Sequence, residues 1–474
     1  MNKIFGIVSL SLCISIISFI GYSCANIVPP TGGPIDSLPP VLVNVSPKDS
    51  TLNFNSKRIV LTFDEYIDLK DVTNNLLLNP LFGTPPVVEV KLKQVTVRFQ
   101  SSTDSLQPNT TYTFDFGKAI TDVNENNPYK YYTYTFSTGP YIDSLRLSGR
   151  VLLAENGKID STLTIVLHTD FVDSAVVKSR PRYATRVDSS GYFHFKNLPP
   201  DSFAVYAIGE AGIMRRYTSP TQYFAFADAP VVSGDTTGIV LYAYKEEDKK
   251  PTRPASTATS TATPTTAPAA DKRLRRSHNL TAGKQDLLGD LILTFERPLR
   301  NFDSSKLRLT SDTSFIPVPA YTITQDSTKK QIILQTAWRE GTEYHLIIDS
   351  TFAEDTTARK LSRSDTLDFS TRKTTDYGEL DIRIRNIDTS QNPVLQFVQA
   401  DKAVFSVPIK SGRYTQALFL PGDYDLRILY DRNNNGIWDP GNFFEGKIQP
   451  EIVRPILQKI TIKPDWDNEF ERGL

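Results

Sequence analysis

Several short stretches of the chain alternate strictly between apolar and polar residues. In the clearest of them, aromatic or β-branched residues take every second position: Val95, Val97 and Phe99; Tyr112, Phe114 and Phe116; Tyr132, Tyr134 and Phe136. A period of two predicts strands with one buried face. Turn clusters such as 107–109 and 124–128 separate these strands, as is typical of β-sandwiches. No comparable stretch after the first 20 residues has a 3.6-residue apolar period. We therefore predict an all-β fold.

The N-terminus resembles a bacterial lipoprotein signal. Lys3 gives a positive start, residues 4–20 are largely apolar, and the small residue Ser23 precedes Cys24. The resemblance implies cleavage after residue 23 and acylation of Cys24, which would anchor the mature chain in a membrane. The alternative is an uncleaved membrane anchor, for which the apolar run is short because a span needs about 20 residues.

The chain also repeats itself, which indicates duplicated domains. Three landmarks keep nearly constant spacing in two copies: Leu-Thr-Phe at 61–63 and 293–295, a turn before Tyr at 106–112 and 338–344, and Phe-Ser-Thr at 136–138 and 369–371. A second type of segment follows each copy, because 197–203 matches 419–424. The layout is therefore A-B-A-B.

These landmarks carry two family resemblances. The A copies resemble the bacterial Ig-like domain named for the S-layer protein SbsA, through Leu-Thr-Phe, the turn before Tyr and the final Phe-Ser-Thr. The first B copy is similar to carboxypeptidase regulatory-like domains, through Gly149-Arg150-Val151, residues 188–195 and Leu198-Pro199-Pro200. The second B copy keeps the later half of that pattern. The resemblances imply tandem Ig-like and transthyretin-like β-sandwiches, which serve as spacers and interaction modules rather than as enzymes.

The repeats and the composition together predict seven segments. They are a lipoprotein signal peptide (1–23), a Pro/Gly-rich tether (24–40), an Ig-like domain (41–140), a carboxypeptidase regulatory-like sandwich (144–246), a Pro/Thr/Ala-rich linker (247–278), a second Ig-like domain (279–373) and a second transthyretin-like sandwich (376–474). We expect the linker to act as a mobile or polyproline-like hinge, because its Ala/Thr/Ser/Pro tract lacks the apolar residues that would order it.

Charge and chemistry exclude several functional classes. Basic and acidic residues balance at 53 each, which gives no indication of a nucleic-acid partner. Cys13 would leave with the signal, so the mature chain would hold Cys24 alone and no disulfide. No zinc-protease, nucleophile-elbow, phosphate-loop or dinucleotide motif occurs, so we expect no enzyme. A hydrolase whose residues converge only in three dimensions is a minor alternative. We expect all four histidines at the surface: His168, His194, His278 and His345.

One loop resembles the calcium loops of EF-hand and dockerin type. Its candidate ligands are spaced at alternate positions around Gly436: Asp431, Asn433, Asn435, Ile437 and Asp439. Two Asn residues stand where Asp is usual, and Asn442 stands where a bidentate Glu is usual, so any calcium site would be weak, in the millimolar range. The alternative is a plain Asn-Gly turn between strands.

A recurring tripeptide bears on the compartment. Asp, then Ser or Thr, then an aliphatic residue or Thr resembles the O-glycosylation sequon of exported Bacteroidota proteins. It occurs eleven times, which favours export from such a bacterium, beginning at Asp36, Asp49, Asp104, Asp143, Asp160, Asp173, Asp235, Asp326, Asp349, Asp355 and Asp365. The alternative is that Asp-Ser and Asp-Thr simply suit turns and strand ends.

The first functional hypothesis is a non-enzymatic lipoprotein of the outer membrane, on its periplasmic or its surface face. It would bind or scaffold other envelope proteins through sheet edges and loops. The rival is a carbohydrate-binding accessory lipoprotein, which would need an exposed aromatic platform. The candidates for that platform are Trp338, Trp438 and Trp466. Of these we expect a structural role for Trp338, because it aligns with the turn before a strand in the first copy.

Overall fold

The computed structural model describes residues 36–99, 106–212, 214–235, 238–246 and 273–474. It is 47% strand and 4% helix, which confirms the all-β prediction. The chain divides after Ser144 into two compact units. Among the described residues, no helix is both long and apolar enough to cross a membrane. The predicted signal peptide, Cys24, most of the tether and residues 247–272 of the linker lie outside the described residues.

The first unit is an Ig-like sandwich. Its sheets have the strand orders β1-β2-β6-β5 and β4-β7-β9, and β3 pairs with β8. The elements are β1 (Leu42–Ser46), β2 (Arg58–Phe63), β3 (Ile67–Leu69), α1 (Val72–Asn75), β4 (Leu77–Asn79), β5 (Val87–Lys91), β6 (Gln94–Arg98), β7 (Thr111–Asp115), β8 (Ile120–Asp122) and β9 (Thr133–Ser137).

The second unit begins with a transthyretin-like sandwich. Its sheets are β13-β10-β17, with β17 parallel to β10, and β12-β11-β14-β15, with β16 also on β14. The elements are β10 (Leu145–Leu153), β11 (Thr164–His168), α2 (Ala175–Lys178), β12 (Tyr183–Arg186), β13 (Tyr192–Leu198), β14 (Ser202–Ile208), β15 (Phe224–Phe226), β16 (Val231–Val232) and β17 (Ile239–Ala243).

The second Ig-like copy repeats the strand order of the first. Its sheets are β18-β20-β25-β24 and β19-β28-β26-β22-β23, and β21 pairs with β27. The elements are β18 (Arg276–His278), β19 (Lys284–Gln285), β20 (Leu291–Phe295), β21 (Leu299–Phe302), a 3₁₀ turn (Ser304–Lys306), β22 (Leu307–Ser311), β23 (Ile316–Pro317), β24 (Thr322–Gln325), β25 (Gln331–Gln335), β26 (Glu343–Ile348), β27 (Ala353–Asp355) and β28 (Asp365–Thr371). Because β18 pairs with β20 and Leu274 lies in this core, the sandwich begins inside the stretch that the sequence assigned to the linker.

The second transthyretin-like copy repeats the order of the first in the same way. Its sheets are β32-β29-β35, with β35 parallel to β29, and β31-β30-β33-β34. The elements are a 3₁₀ turn (Thr374–Asp376), β29 (Gly378–Arg385), a 3₁₀ turn (Thr389–Gln391), β30 (Pro393–Gln399), β31 (Lys402–Pro408), β32 (Arg413–Phe419), β33 (Gly422–Tyr430), β34 (Ile452–Ile462) and β35 (Asp467–Gly473). Even the register shift near the start of the central strand recurs, at Leu145/Leu147 and Gly378/Leu380. The A-B-A-B order is therefore structural.

Candidate functional site

The turn before the repeated Tyr is held by the same hydrogen bonds in both Ig-like copies. In the first copy the Tyr112 hydroxyl accepts the Gln107 N–H at 2.8 Å. The Thr138 hydroxyl accepts the Thr110 N–H at 3.0 Å and donates to the Gln107 carbonyl at 2.6 Å. A Tyr hydroxyl that bonds back to the backbone upstream is a known corner of Ig-like sandwiches. The motif thus builds the fold.

The second copy repeats the network atom for atom. The Tyr344 hydroxyl accepts the Arg339 N–H at 3.2 Å, and the Thr371 hydroxyl accepts the Thr342 N–H at 2.9 Å and donates to the Arg339 carbonyl. The turn needs a left-handed residue, which is Asn109 in one copy (φ 50°) and Gly341 in the other (φ 59°). Asn and Gly are the two residues that adopt this conformation most readily.

The two Ig-like copies also share an aspartate that is buried at the end of a short strand, and its burial was not predicted from the sequence. Asp122 ends β8 and accepts the N–H groups of Glu125, Asn126 and Asn127 at 2.7, 2.7 and 3.0 Å. Asp355 ends β27 and accepts the N–H groups of Thr357 and Arg359 at 2.8 and 2.9 Å. Both side chains are 2% exposed. For each, burial raises the pKa but the backbone N–H bonds outweigh it, so that the pKa of both carboxyls is lowered.

The predicted calcium loop is closed by its own hydrogen bonds. Asp431 is buried and accepts the N–H groups of Gly436 at 2.6 Å and Asn435 at 3.3 Å. The side-chain amides of Asn433 and Asn435 both donate to Asp439 Oδ2, at 2.6 and 2.9 Å. Their amide oxygens accept N–H groups of the loop, at 3.0 and 2.7 Å. The arrangement brings the predicted ligands together as a polar turn.

Glu451 completes this loop, and no local spacing in the sequence signalled it. It is 2% exposed and accepts the Arg432 N–H at 2.7 Å and the Asp439 N–H at 3.1 Å, so it clamps both ends of the loop. Burial raises the pKa of Glu451, and the charges of Asp431 and Asp439 raise it further. Within the described residues, no group of three or more His, Cys, Asp or Glu side chains could hold a metal ion. Calcium binding by this loop stays a prediction.

The histidine prediction was wrong for His168. His194 and His278 are exposed, but His168 is 2% exposed, on β11, with its ring 5.7 Å from that of Tyr206. Burial lowers the pKa of His168 to about 4, although the nearby Asp170 opposes this. The reason is that β11 belongs to a sheet covered on both faces, which period-two alternation cannot reveal. His345 lies on β26 with Nδ1 2.6 Å from Asp368.

The three tryptophans do not form one platform. Trp338 is partly buried, packs against the core of the second Ig-like copy and donates to the Gly289 carbonyl at 2.9 Å, so its role is structural, as predicted. Trp438 packs against the small cluster of Val394, Leu429 and Val453 and donates to the Glu451 carbonyl at 2.8 Å. Trp466 is 62% exposed and lies 4.8 Å from the Lys463 ammonium.

Several of the recurring Asp-Ser/Thr tripeptides build turns. In four of them the Asp accepts both the N–H and the hydroxyl of the Thr two residues on, and that pairing links Asp160 to Thr162, Asp326 to Thr328, Asp349 to Thr351 and Asp355 to Thr357. The recurrence of Asp and Thr at these sites therefore has a structural explanation, because the Asp side chain and the Thr two residues on stabilise a local turn together.

Comparison with known proteins supports the Ig-like assignment. Residues 36–138 match the family described as bacterial Ig-like domain. No curated protein sequence matches the chain. Among solved structures, native alpha-2-macroglobulin from Escherichia coli (domains MG0-NIE-MG1) is 12% identical, with 39% of this chain and 70% of that chain covered and a TM-score of 0.18. BcpA, the major pilin subunit of Bacillus cereus, is 10% identical, with coverages of 69% and 99% and a TM-score of 0.16. The surface layer protein SbsC, domains 1–6, is 11% identical, with coverages of 92% and 55% and a TM-score of 0.15.

The family match over residues 36–138 and the strand order of the sheets together define the class of domain. The chain contains at least one bacterial Ig-like domain within a tandem β-sandwich architecture. Domains of this class point to a structural protein rather than a catalyst.

Proposed function

We propose that this protein is a lipid-anchored, non-enzymatic scaffold of the bacterial outer membrane that binds other envelope proteins. The observation that carries the proposal is the shared turn network: the polar residues that recur between the Ig-like copies hold turns and strand ends, as they do in a spacer. The bacterial Ig-like match supports the same class. The lipoprotein-like signal supports the anchor, since Cys24 stands where acylation would occur.

The tether would set the reach of the scaffold. Between Cys24 and the first strand at Leu42 there are 42 − 24 = 18 residue steps, rich in Pro and Gly. At roughly 3 Å per residue, an extended tether would place the first sandwich up to about 5 nm from the lipid. That distance suits contact with proteins that protrude from the same membrane.

The test is capture from gently solubilised native membranes after cross-linking, with the Cys24→Ser variant as control. The wild-type protein should be acylated and should retain a stoichiometric envelope protein. The variant should move to the soluble fraction and lose that partner. A wild-type protein that carries no lipid, or that is recovered only as free lipoprotein, would contradict the proposal.

Glycan binding is the second candidate, and the exposed Trp466 is the observation that favours it. An indole stacked by sugar rings needs an accessible face, and Trp466 has one beside Lys463. A glycan array with the wild-type protein and the Trp466→Ala variant tests it. Binding that disappears in the variant supports this candidate, and no binding by the wild-type protein rejects it.

We also propose weak calcium binding by Asp431, Asn433, Asn435, Ile437 and Asp439. An ion there requires both Asn side-chain amides to turn over, because their nitrogens now point at Asp439. Calorimetric titration with millimolar calcium should show a saturable heat that the Asp439→Ala variant lacks. An identical trace from the two proteins would leave the loop as a hydrogen-bonded turn.

A further inference from the structure

One loop of the second transthyretin-like sandwich lies on the first. Residues 439–451, the plug loop, run from the Asp431 turn to β34. Its Phe443 is 2% exposed. The Phe443 ring lies 5.0 Å from Phe226, 5.3 Å from Phe224 and 5.6 Å from Tyr206, measured between centroids. These three residues of the first sandwich form an aromatic seat.

The seat is the outer face of a sheet whose inner face already forms a core. On β14, Val205 and Ala207 pack inward, whereas Tyr206 between them points the other way. Tyr206 pairs across the strands with Phe226 on β15. A sheet that is apolar on both faces needs a cover on each of them. Phe443 supplies part of the outer cover. Its ring meets those of Tyr206 and Phe224 edge to face, which is an orientation that aromatic pairs prefer.

Polar contacts surround the buried ring. Gln449 Nε2 donates to the Phe226 carbonyl at 3.0 Å and to Asp228 Oδ1 at 2.8 Å. The Lys447 ammonium lies 2.7 Å from Asp173. An apolar anchor with a polar rim is the usual anatomy of a specific protein interface.

The backbones also meet directly beside the seat. The Val453 N–H donates to the Ala154 carbonyl at 2.9 Å, across the two sandwiches. Gly441 lies so close to Tyr244 that a Cβ there would stand 2.7 Å from the ring. Because no real Cβ tolerates that distance, the contact depends on glycine at this position.

We propose that the plug loop and the aromatic seat form an intramolecular latch, anchored by Phe443, that holds the two transthyretin-like sandwiches as one body. The second Ig-like sandwich lies between them in sequence. The chain therefore passes from the latched pair into the second Ig-like sandwich and then back to the pair. This sandwich branches from the pair and is not the next domain of a linear row. Along the sequence, the linker at 247–272 joins the first transthyretin-like sandwich to the second Ig-like sandwich, whereas the latch joins the first transthyretin-like sandwich directly to the second.

Amide hydrogen exchange in the full chain measures whether the contact between the two sandwiches is formed. The Phe443→Ala variant should speed exchange about tenfold or more at the Val453 amide, because its acceptor, the Ala154 carbonyl, lies on the other sandwich and is reached only while the latch is closed. Exchange along β10, whose side chains belong to the inner core, should stay unchanged. The matched control is Leu457→Ala, since Leu457 lies on β34, the strand of Val453, and is 96% exposed. It should change exchange at Val453 less than about twofold.

A charge swap guards against a variant that merely misfolds. Lys447→Asp should open the latch in part by placing two carboxylates together, and adding Asp173→Lys should restore slow exchange at Val453. Rescue by the second substitution requires the two sandwiches to touch at this point. Unchanged exchange at Val453 in Phe443→Ala, or no rescue in the swap, would overturn the latch. The latch would also be overturned if a mixture of two differently labelled proteins showed that the contact forms only between two separate chains.

Discussion

The two Ig-like copies share one set of turn hydrogen bonds but fill their cores differently. In the first copy, eight of the sixteen clustered core residues are aromatic. In the second copy, four of fifteen are, and leucine and isoleucine fill most of the rest. At equivalent positions on β7 and β26, Phe114 stands in one copy and Leu346 in the other. The difference teaches that turn chemistry is the fixed part of this fold, whereas the core accepts any apolar set of the right volume.

The largest expected effect comes from truncating the equivalent core positions. Phe114 is fully buried, with ring centroids 5.8 Å from Phe82 and 5.9 Å from Phe136. Phe114→Ala should lower the free energy of unfolding of its sandwich by about 3–5 kcal/mol, and Leu346→Ala by about 2–5 kcal/mol. Hydrogen exchange along β7 and β26 in urea measures both sandwiches in one chain. A clearly larger loss in the free energy of unfolding for Leu346→Ala than for Phe114→Ala would contradict the prediction.

The shared buried aspartates come next. Asp122→Asn or Asp355→Asn should lower the free energy of unfolding of the affected sandwich by about 1–3 kcal/mol, since the carboxylate serves several backbone N–H groups. The pKa of each carboxyl is lowered in the fold, so its contribution is present above the ordinary carboxyl pKa near 4 and is lost as the pH falls below it.

Unfolding measured from pH 7 down to pH 3 checks this sign. Both wild-type sandwiches should lose stability at the acid end, and each Asn variant should lose less there because it has no carboxylate to protonate. A variant whose pH profile overlays that of the wild type would show that the buried carboxylate is not the titrating group.

The turn threonines should have smaller effects of equal size in the two copies. Thr138→Val and Thr371→Val each remove a hydroxyl that accepts one N–H and donates to one carbonyl, and each should cost about 1 kcal/mol. The exposed Thr133→Val is the control and should cost nothing measurable. Unequal losses at the two turns would mean that the shared network is not equally important in both copies.

The smallest effects are expected when the left-handed turn residues are exchanged. Asn109→Gly and Gly341→Asn should each change the free energy of unfolding by only a few tenths of a kcal/mol, because both residues tolerate positive φ. Valine at either position should cost more than about 1 kcal/mol. Thermal unfolding of the four variants gives the comparison, and a harmless valine would show that the turn relaxes to another conformation.

Much of this architecture could be predicted from local sequence signals. Alternation located the strands, and the repeated Leu-Thr-Phe, Tyr and Phe-Ser-Thr landmarks located two equivalent sandwiches, because each landmark is a strand or turn whose bonds close within a few residues or on the neighbouring strand. The candidate site was predicted less completely. The sequence placed Asp431 and Asp439 in one turn, but Glu451, which clamps that turn, is brought back by the β33–β34 connection rather than by spacing.

The sequence by itself determined the all-β class, the A-B-A-B order and the turns, since period-two alternation and turn chemistry act over short distances along the chain. Only the tertiary structure decided that His168 is buried and that Phe443 is covered by Tyr206, Phe224 and Phe226. The physical reason is that the cover comes from another segment in each case: Tyr206 on the neighbouring strand packs on His168, and the three rings around Phe443 lie more than 200 residues away from it in sequence. Burial by such segments leaves no periodicity to read.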